Sequence, residues 1–231
     1  MVLLHPGVGD SRIWDPILPA LIERHRVIRY DARGFGRSPA PTAEYTLMDD
    51  LVSVLDHLGL DRVAIVGCSQ GGDSALALAV TAPERVSALV LLCPGVSGYE
   101  WPAEPEVDAE FDTAAADGVE AVAALGMRLW AAAGPTPEVV EQLRSAARAW
   151  LSTDEFERPN PPVFDRLGEV AVPTSIMVGD LDRPALIDCN LRAAKRIPGC
   201  ELVQISGLDH LPPLRVPDRV VALIAKTLAR V

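Results

Sequence analysis

Six short apolar runs punctuate the chain, at residues 2–5, 26–30, 62–66, 87–92, 174–178 and 201–205. Most of the stretches between them carry helical periodicity, so strands alternate with helices. Strands joined by helical crossovers build a mostly parallel sheet with helices on both faces. The fold class expected is therefore α/β. Residues 46–58 illustrate the pattern: Thr46 caps a helix, Asp49 and Asp50 sit in its first turn, and Leu47, Leu51, Val54, Leu55 and Leu58 form one apolar stripe.

The alternation stops between about residues 97 and 173, where Pro, Ala and Glu dominate. Two helical segments read there, 107–133 and 137–152. The expected organisation is a core of residues 1–96 and 173–231 with a small helical cap, 97–172, inserted into it. The cap holds Trp101, Phe111, Met127, Trp130 and Trp150, while the sheet-forming part is poor in aromatics. Trp101, Met127 and Trp130 are the residues expected to line an apolar substrate cavity. Service as the cap's own core is an equal alternative for any one of them.

Chemistry is concentrated at residues 63–72, where an apolar run ends in Gly67-Cys68-Ser69-Gln70-Gly71 and an Ala/Leu-rich helical pattern follows at once. A strand, a sharp turn carrying a serine and then a helix is the setting of a nucleophile elbow, with glycines where the two backbones approach. A serine hydroxyl needs a base to take its proton. His210 directly follows the last apolar run, and the carboxyl ends of parallel strands open onto one edge, where Ser69 would also lie. The carboxylate that orients the imidazole is expected to be Asp182, after the preceding run, with Asp180 as its rival. The order Ser69, Asp182, His210 is the one that accompanies the elbow motif.

Other chemistries find little support. A net charge of −11 opposes phosphate binding, so nucleic acid is not an expected partner. The four histidines show no zinc-ligand spacing, and no glycine-rich dinucleotide or P-loop motif occurs, so neither metal nor cofactor is expected. No apolar stretch approaches the length of a membrane span, and the chain opens without a basic leader. The four cysteines, Cys68, Cys93, Cys189 and Cys200, show no CxxC pairing and read as free thiols, with Cys68 directed into packing. A cytoplasmic protein, monomeric or homodimeric, is the expectation.

The chain resembles the α/β-hydrolase fold family over nearly its whole length. Besides the elbow, Leu3-Leu4-His5-Pro6-Gly7 is similar to the family's His-Gly oxyanion loop, and Asp31-Ala-Arg-Gly-Phe-Gly-Arg-Ser38 to its DxRGxGxS turn. The resemblance implies an oxyanion hole made by the N–H of Gln70 and that of Gly7 or Val8. Pro6, where the family usually has glycine, has no N–H to donate. His5, Asp31, Arg33 and Arg37 read as structural. Where some members carry the acid, after the fourth run, stands Cys93-Pro94, which favours Asp182. The family usually opens with two strands ahead of the oxyanion loop that are not seen here, so residues 26–30 are expected at the sheet edge.

The function expected is a cofactor-free serine hydrolase that cleaves a small, mostly apolar ester or lactone through an acyl-enzyme. Carbon–carbon bond hydrolysis and perhydrolase chemistry use the same groups. Arg183 and Asp209, beside the acid and the base, read as solvent-facing. A hydrolase-like ligand-binding protein with little turnover is the alternative from another class.

Overall fold

In a computed structural model, which describes residues 1–153 and 156–231, the six runs become β1 (Val2–Leu4), β2 (Ile28–Arg29), β3 (Val63–Cys68), β4 (Val86–Leu92), β5 (Thr174–Gly179) and β6 (Glu201–Ile205). They form one sheet of order β2-β1-β3-β4-β5-β6, every neighbouring pair parallel. The chain leaves β1 in one direction to make β2 and returns on the other side to make β3. The order therefore reverses between β1 and β3, and ligands of open α/β sheets bind in the crevice at such a reversal.

Both faces of the sheet are buried, and the two-residue period of a strand decides which side chain goes where. Val2, Leu4, Ile65, Leu89, Leu91 and Ile176 join one apolar cluster, against α2 (Leu47–His57), α3 (Gln70–Thr81) and α7 (Pro184–Arg196). Leu3, Val66, Cys68, Val90, Leu92 and Met177 join the other, with Trp14, Ile17, Leu21 of α1 (Leu18–Ile22), Leu214 of α8 (Pro212–Arg215) and the inner face of α9 (Pro217–Leu228). The cap of α2 is as expected, since Thr46 Oγ1 accepts the Asp49 N–H at 3.0 Å. β2 keeps only two of its five expected residues: it is the edge strand and pairs solely with the short β1.

Among the described residues three α-helices stand between β4 and β5: α4 (Pro105–Asp117), α5 (Val119–Trp130) and α6 (Pro137–Thr153). The single helix expected over 107–133 is instead two. Gly118 adopts φ 95°, which glycine reaches without strain, and its N–H closes α4 onto Ala114 O and Ala115 O.

Two buried polar networks lock these helices to the sheet. Asp10, in the loop after β1, accepts Ser145 Oγ–H at 2.6 Å, and its N–H donates to Gln142 Oε1 at 2.8 Å, both partners being on α6. Asp209 accepts the Ala133 N–H at 3.1 Å and pairs with Arg215 at 2.7 Å, and Arg215 also donates to Gly134 O. Asp209 therefore does not face water: its side chain is fully buried. Removing one member of a buried ion pair leaves the other charge uncompensated, at a cost of about 3–5 kcal/mol. Asp209→Ala is accordingly expected to lower Tm by roughly 10 °C in a thermal melt.

Candidate active site

Ser69 occupies the turn between β3 and α3 at φ 50°, ψ −115°. A non-glycine residue in this region carries of the order of 1–3 kcal/mol of strain and persists only where its surroundings hold it. The restraints are visible. The Ser69 N–H donates to Leu92 O, and its carbonyl accepts the N–H groups of Gly72, Asp73 and Gly95. Strand and helix also pass too closely for side chains: a Cβ on Gly67 would lie 2.4 Å from Gly71 O, and one on Gly71 would lie 2.3 Å from Leu4 O. The two glycines thus let the turn lift Ser69 above the carboxyl edge of the sheet.

Two further loops at that edge bring Asp182 and His210 together. His210 Nδ1 lies 2.8 Å from Asp182 Oδ2, and both side chains are buried. A carboxylate can only accept, so the ring proton is on Nδ1 and Nε2 presents its lone pair. That Nε2 is buried and has no hydrogen-bond partner among the described residues. The other carboxylate oxygen of Asp182 accepts the Arg183 N–H at 2.7 Å. Burial acts to raise the Asp182 pKa, but the charge and hydrogen bond of His210, with donation from Arg183 N–H and the Cys93 thiol, hold it below the usual value. Asp180, the rival acid, is exposed and turned away, accepting from Ser206 Oγ–H and Gly207 N–H.

Asp10 is depressed in the same sense: burial would raise its pKa, but donation from Arg12, Ser145 and Gln142 outweighs this. Carboxylates with lowered folded pKa values stabilise the fold fully above their unfolded value, near pH 4, and lose that contribution as pH falls through the folded value. Unfolding free energy should therefore rise with pH between about 2 and 4 in urea titrations, with a shallower acid limb in Asp10→Asn.

Ser69 lies between two chambers of a cavity. One, of about 430 Å³, is bounded by Asp73, Trp101, Glu104, Trp130 and Arg183. The other, of about 380 Å³, is bounded by Gly7, Val8, Phe111, Trp150 and His210 as well as Trp130. Ser69, Gln70 and Trp130 belong to both. The Trp130 ring packs 4.9 Å from the His210 ring, and His210 N–H donates to Trp130 O at 3.3 Å. Met127 lines neither chamber. One helical turn before Trp130, it packs with the core cluster that includes Val139 and Leu143.

The loop after β1 reaches the second chamber through Gly7 and Val8. Among the described residues, no protein acceptor takes the N–H of Gly7, Val8 or Gln70. His5 orders this loop rather than exchanging protons. Its Nε2 accepts the Ala32 N–H at 2.9 Å, which leaves the ring proton on Nδ1 to donate to Pro6 O at 2.8 Å, and burial lowers its pKa. Asp31 is equally structural, accepting the N–H groups of Ser11 and Arg37.

Sequence reasoning missed the contacts that three residues make here. Cys93 is buried at φ 46°, and its thiol is pushed well up by burial and by Asp182, to which it donates. Its sulfur, the Asp182 carboxylate and a His210 ring nitrogen lie within 4.8 Å of one another, with Asp182 already hydrogen-bonded to the His210 ring. Arg183 does not face solvent as expected. It pairs with Glu104 and lies 4.7 Å over the Trp130 ring. Asp73, the third, accepts Ser97 N–H, Ser97 Oγ–H and Asn160 Nδ2–H. Its position in the first turn after the elbow was the only available signal.

Fold and site together define a class: a parallel α/β protein with a serine on a strained strand-to-helix turn at the reversal of its sheet, beside a carboxylate–histidine pair. A sequence model of the alpha/beta hydrolase fold matches residues 1–136. RutD of Caulobacter sp. (strain K31), assigned as a carbamate hydrolase, is 30% identical over 87% of this chain and 80% of its own. The 2-hydroxy-6-oxononadienedioate/2-hydroxy-6-oxononatrienedioate hydrolase of Klebsiella pneumoniae is 30% identical over 100% of this chain and 87% of its own. Among solved structures, Est816, described as an N-acyl homoserine lactone degrading enzyme, is 28% identical and superposes with a TM-score of 0.81 over 97% of this chain and 91% of its own. The chain belongs to the α/β-hydrolase fold family, and its relatives are hydrolases.

Proposed function

We propose that the protein cleaves a small, mostly apolar ester or lactone through an acyl-enzyme on Ser69, with His210 as base and acid and Asp182 as the group that orients it. The observation that carries this reading is the His210 ring itself: Nδ1 is held by Asp182, and Nε2, in the chamber that Ser69 shares, has no partner among the described residues. In this scheme Ser69 Oγ attacks the carbonyl carbon while its proton passes to Nε2. The oxyanion is met by the N–H groups of Gln70 and of Gly7 or Val8. Collapse expels the alkoxide, which takes the proton from Nε2, and water repeats the sequence to free Ser69. The helices of residues 97–172 serve as a cap that closes both chambers over the serine and excludes bulk water. An ester or lactone is favoured by the apolar walls, Trp101 and Trp130 on one side and Phe111 and Trp150 on the other, and by the likeness to the lactone-degrading neighbour.

Rapid mixing with 4-nitrophenyl butyrate tests the scheme. A burst of nitrophenolate equal to the enzyme concentration, followed by slower turnover, is expected if deacylation limits the rate. Absence of any nitrophenolate release above the Ser69→Ala control would overturn it.

A further inference from the structure

The first chamber carries more charge than an apolar substrate needs, and the sign of that charge selects among substrates. Asp73 stands beside Ser69 with its carboxylate fixed by three hydrogen-bond donors, from Ser97 and Asn160. Those donors fix the orientation of the carboxylate, so it cannot turn away from them. Among the described residues lining the chamber the cation is Arg183, and its guanidinium is already paired with Glu104, which precedes α4, and stacked on Trp130. The Arg183 side chain is 19% exposed, so solvent screens the pair only in part. Two carboxylates therefore share the chamber lining with one guanidinium, which is already paired with one of them, so a third carboxylate would add to an excess of negative charge.

We infer that Glu104 is a specificity-determining residue which occupies Arg183 and so restricts the first chamber to neutral or cationic substrate arms, excluding esters that carry a carboxylate. The inference rests on the ester or lactone hydrolase reading above and narrows it to substrates without an acidic arm. An anionic arm entering the chamber meets Asp73 and Glu104 and, among the described lining residues, no cation outside the Arg183–Glu104 pair, whereas a neutral arm meets Trp101 and Trp130 and displaces no ion pair. Removing the charge of Glu104 while keeping its shape releases Arg183 as an anchor for a carboxylate. Removing the guanidinium instead leaves two uncompensated carboxylates and deepens the exclusion.

The test compares two esters with the same leaving group and the same acyl length, 4-nitrophenyl butyrate and 4-nitrophenyl hemisuccinate, each corrected for spontaneous hydrolysis. The parent enzyme is expected to favour butyrate in kcat/KM by at least about tenfold, and the preference should shrink as salt is raised. Glu104→Gln should lower the preference about fivefold or more, and Arg183→Gln should raise it. Because each readout is a ratio within one variant, a general loss of activity cancels. Equal kcat/KM for the two esters in the parent, or variants that leave the ratio unmoved, overturn the inference and leave the hydrolase reading standing. Hydrolysis of neither ester overturns the reading and the inference with it.

Discussion

Ser69→Ala is expected to reduce hydrolysis by about 10⁴–10⁶-fold in kcat, while the protein still unfolds in one cooperative step near the parental Tm. Alanine removes the hydroxyl but inherits the backbone of the turn, φ 50° held from all sides. It therefore loses the nucleophile without relieving strain. Glycine relieves both, since it alone adopts such a conformation without penalty. Ser69→Gly should be equally inactive yet more stable than Ser69→Ala by about 1 kcal/mol, despite the extra backbone freedom of its unfolded chain. If the alanine and glycine variants melted together, the strain assigned to the elbow would not be there to release. Retained turnover in either variant would remove Ser69 from the chemistry.

Asp182→Asn carries the second large effect, a fall of about 10⁴-fold in kcat with little change in KM. The amide has nearly the shape of the carboxylate but can offer N–H where the parent offers only oxygen. A donor facing Nδ1 pushes the ring proton to Nε2, and the lone pair that would take the serine proton is lost. The Arg183 N–H and the Cys93 thiol still need acceptors on this side chain, so the amide's one oxygen must serve both. Asp180→Asn, by contrast, alters an exposed side chain bound to Ser206 and Gly207 and should leave the rate within about twofold, as distant surface changes do. The two variants separate two carboxylates that lie two positions apart in sequence. Similar losses in both would contradict the assignment.

What was legible in the sequence is what local spacing encodes. The apolar runs alternate side chains between two faces that are both buried, so six strands and their parallel arrangement followed from residues such as Leu3 and Leu4, which go to opposite clusters. The gathering of Ser69, Asp182 and His210 at one edge was legible because each lies in the segment after a strand, and a parallel sheet delivers all such segments to one edge. The break at Gly118 was missed because the apolar spacing continues through it, and only the left-handed backbone reveals that the glycine ends one helix and begins the next. The chamber charges were not legible for a different reason. Glu104 and Arg183 are 79 residues apart, and Asp10 and Gln142 are 132 apart. A polar residue that will be buried against a distant partner looks locally like one that will face water. Arg183 and Asp209 were misread on that ground. Met127 was assigned to the cavity by composition, although its place in α5, a turn from Trp130, directs it to the core.

The most direct measurement is reaction of the folded protein with a fluorophosphonate, followed by mass-spectrometric mapping of the modified residue. The expected result is one adduct per chain, on Ser69, formed in the parent and lost in His210→Ala, whose Ser69 has no base. Labelling elsewhere, or none in a cooperatively folded sample, would contradict an activated serine at the elbow and would favour a ligand-binding protein that keeps the fold of its hydrolase relatives.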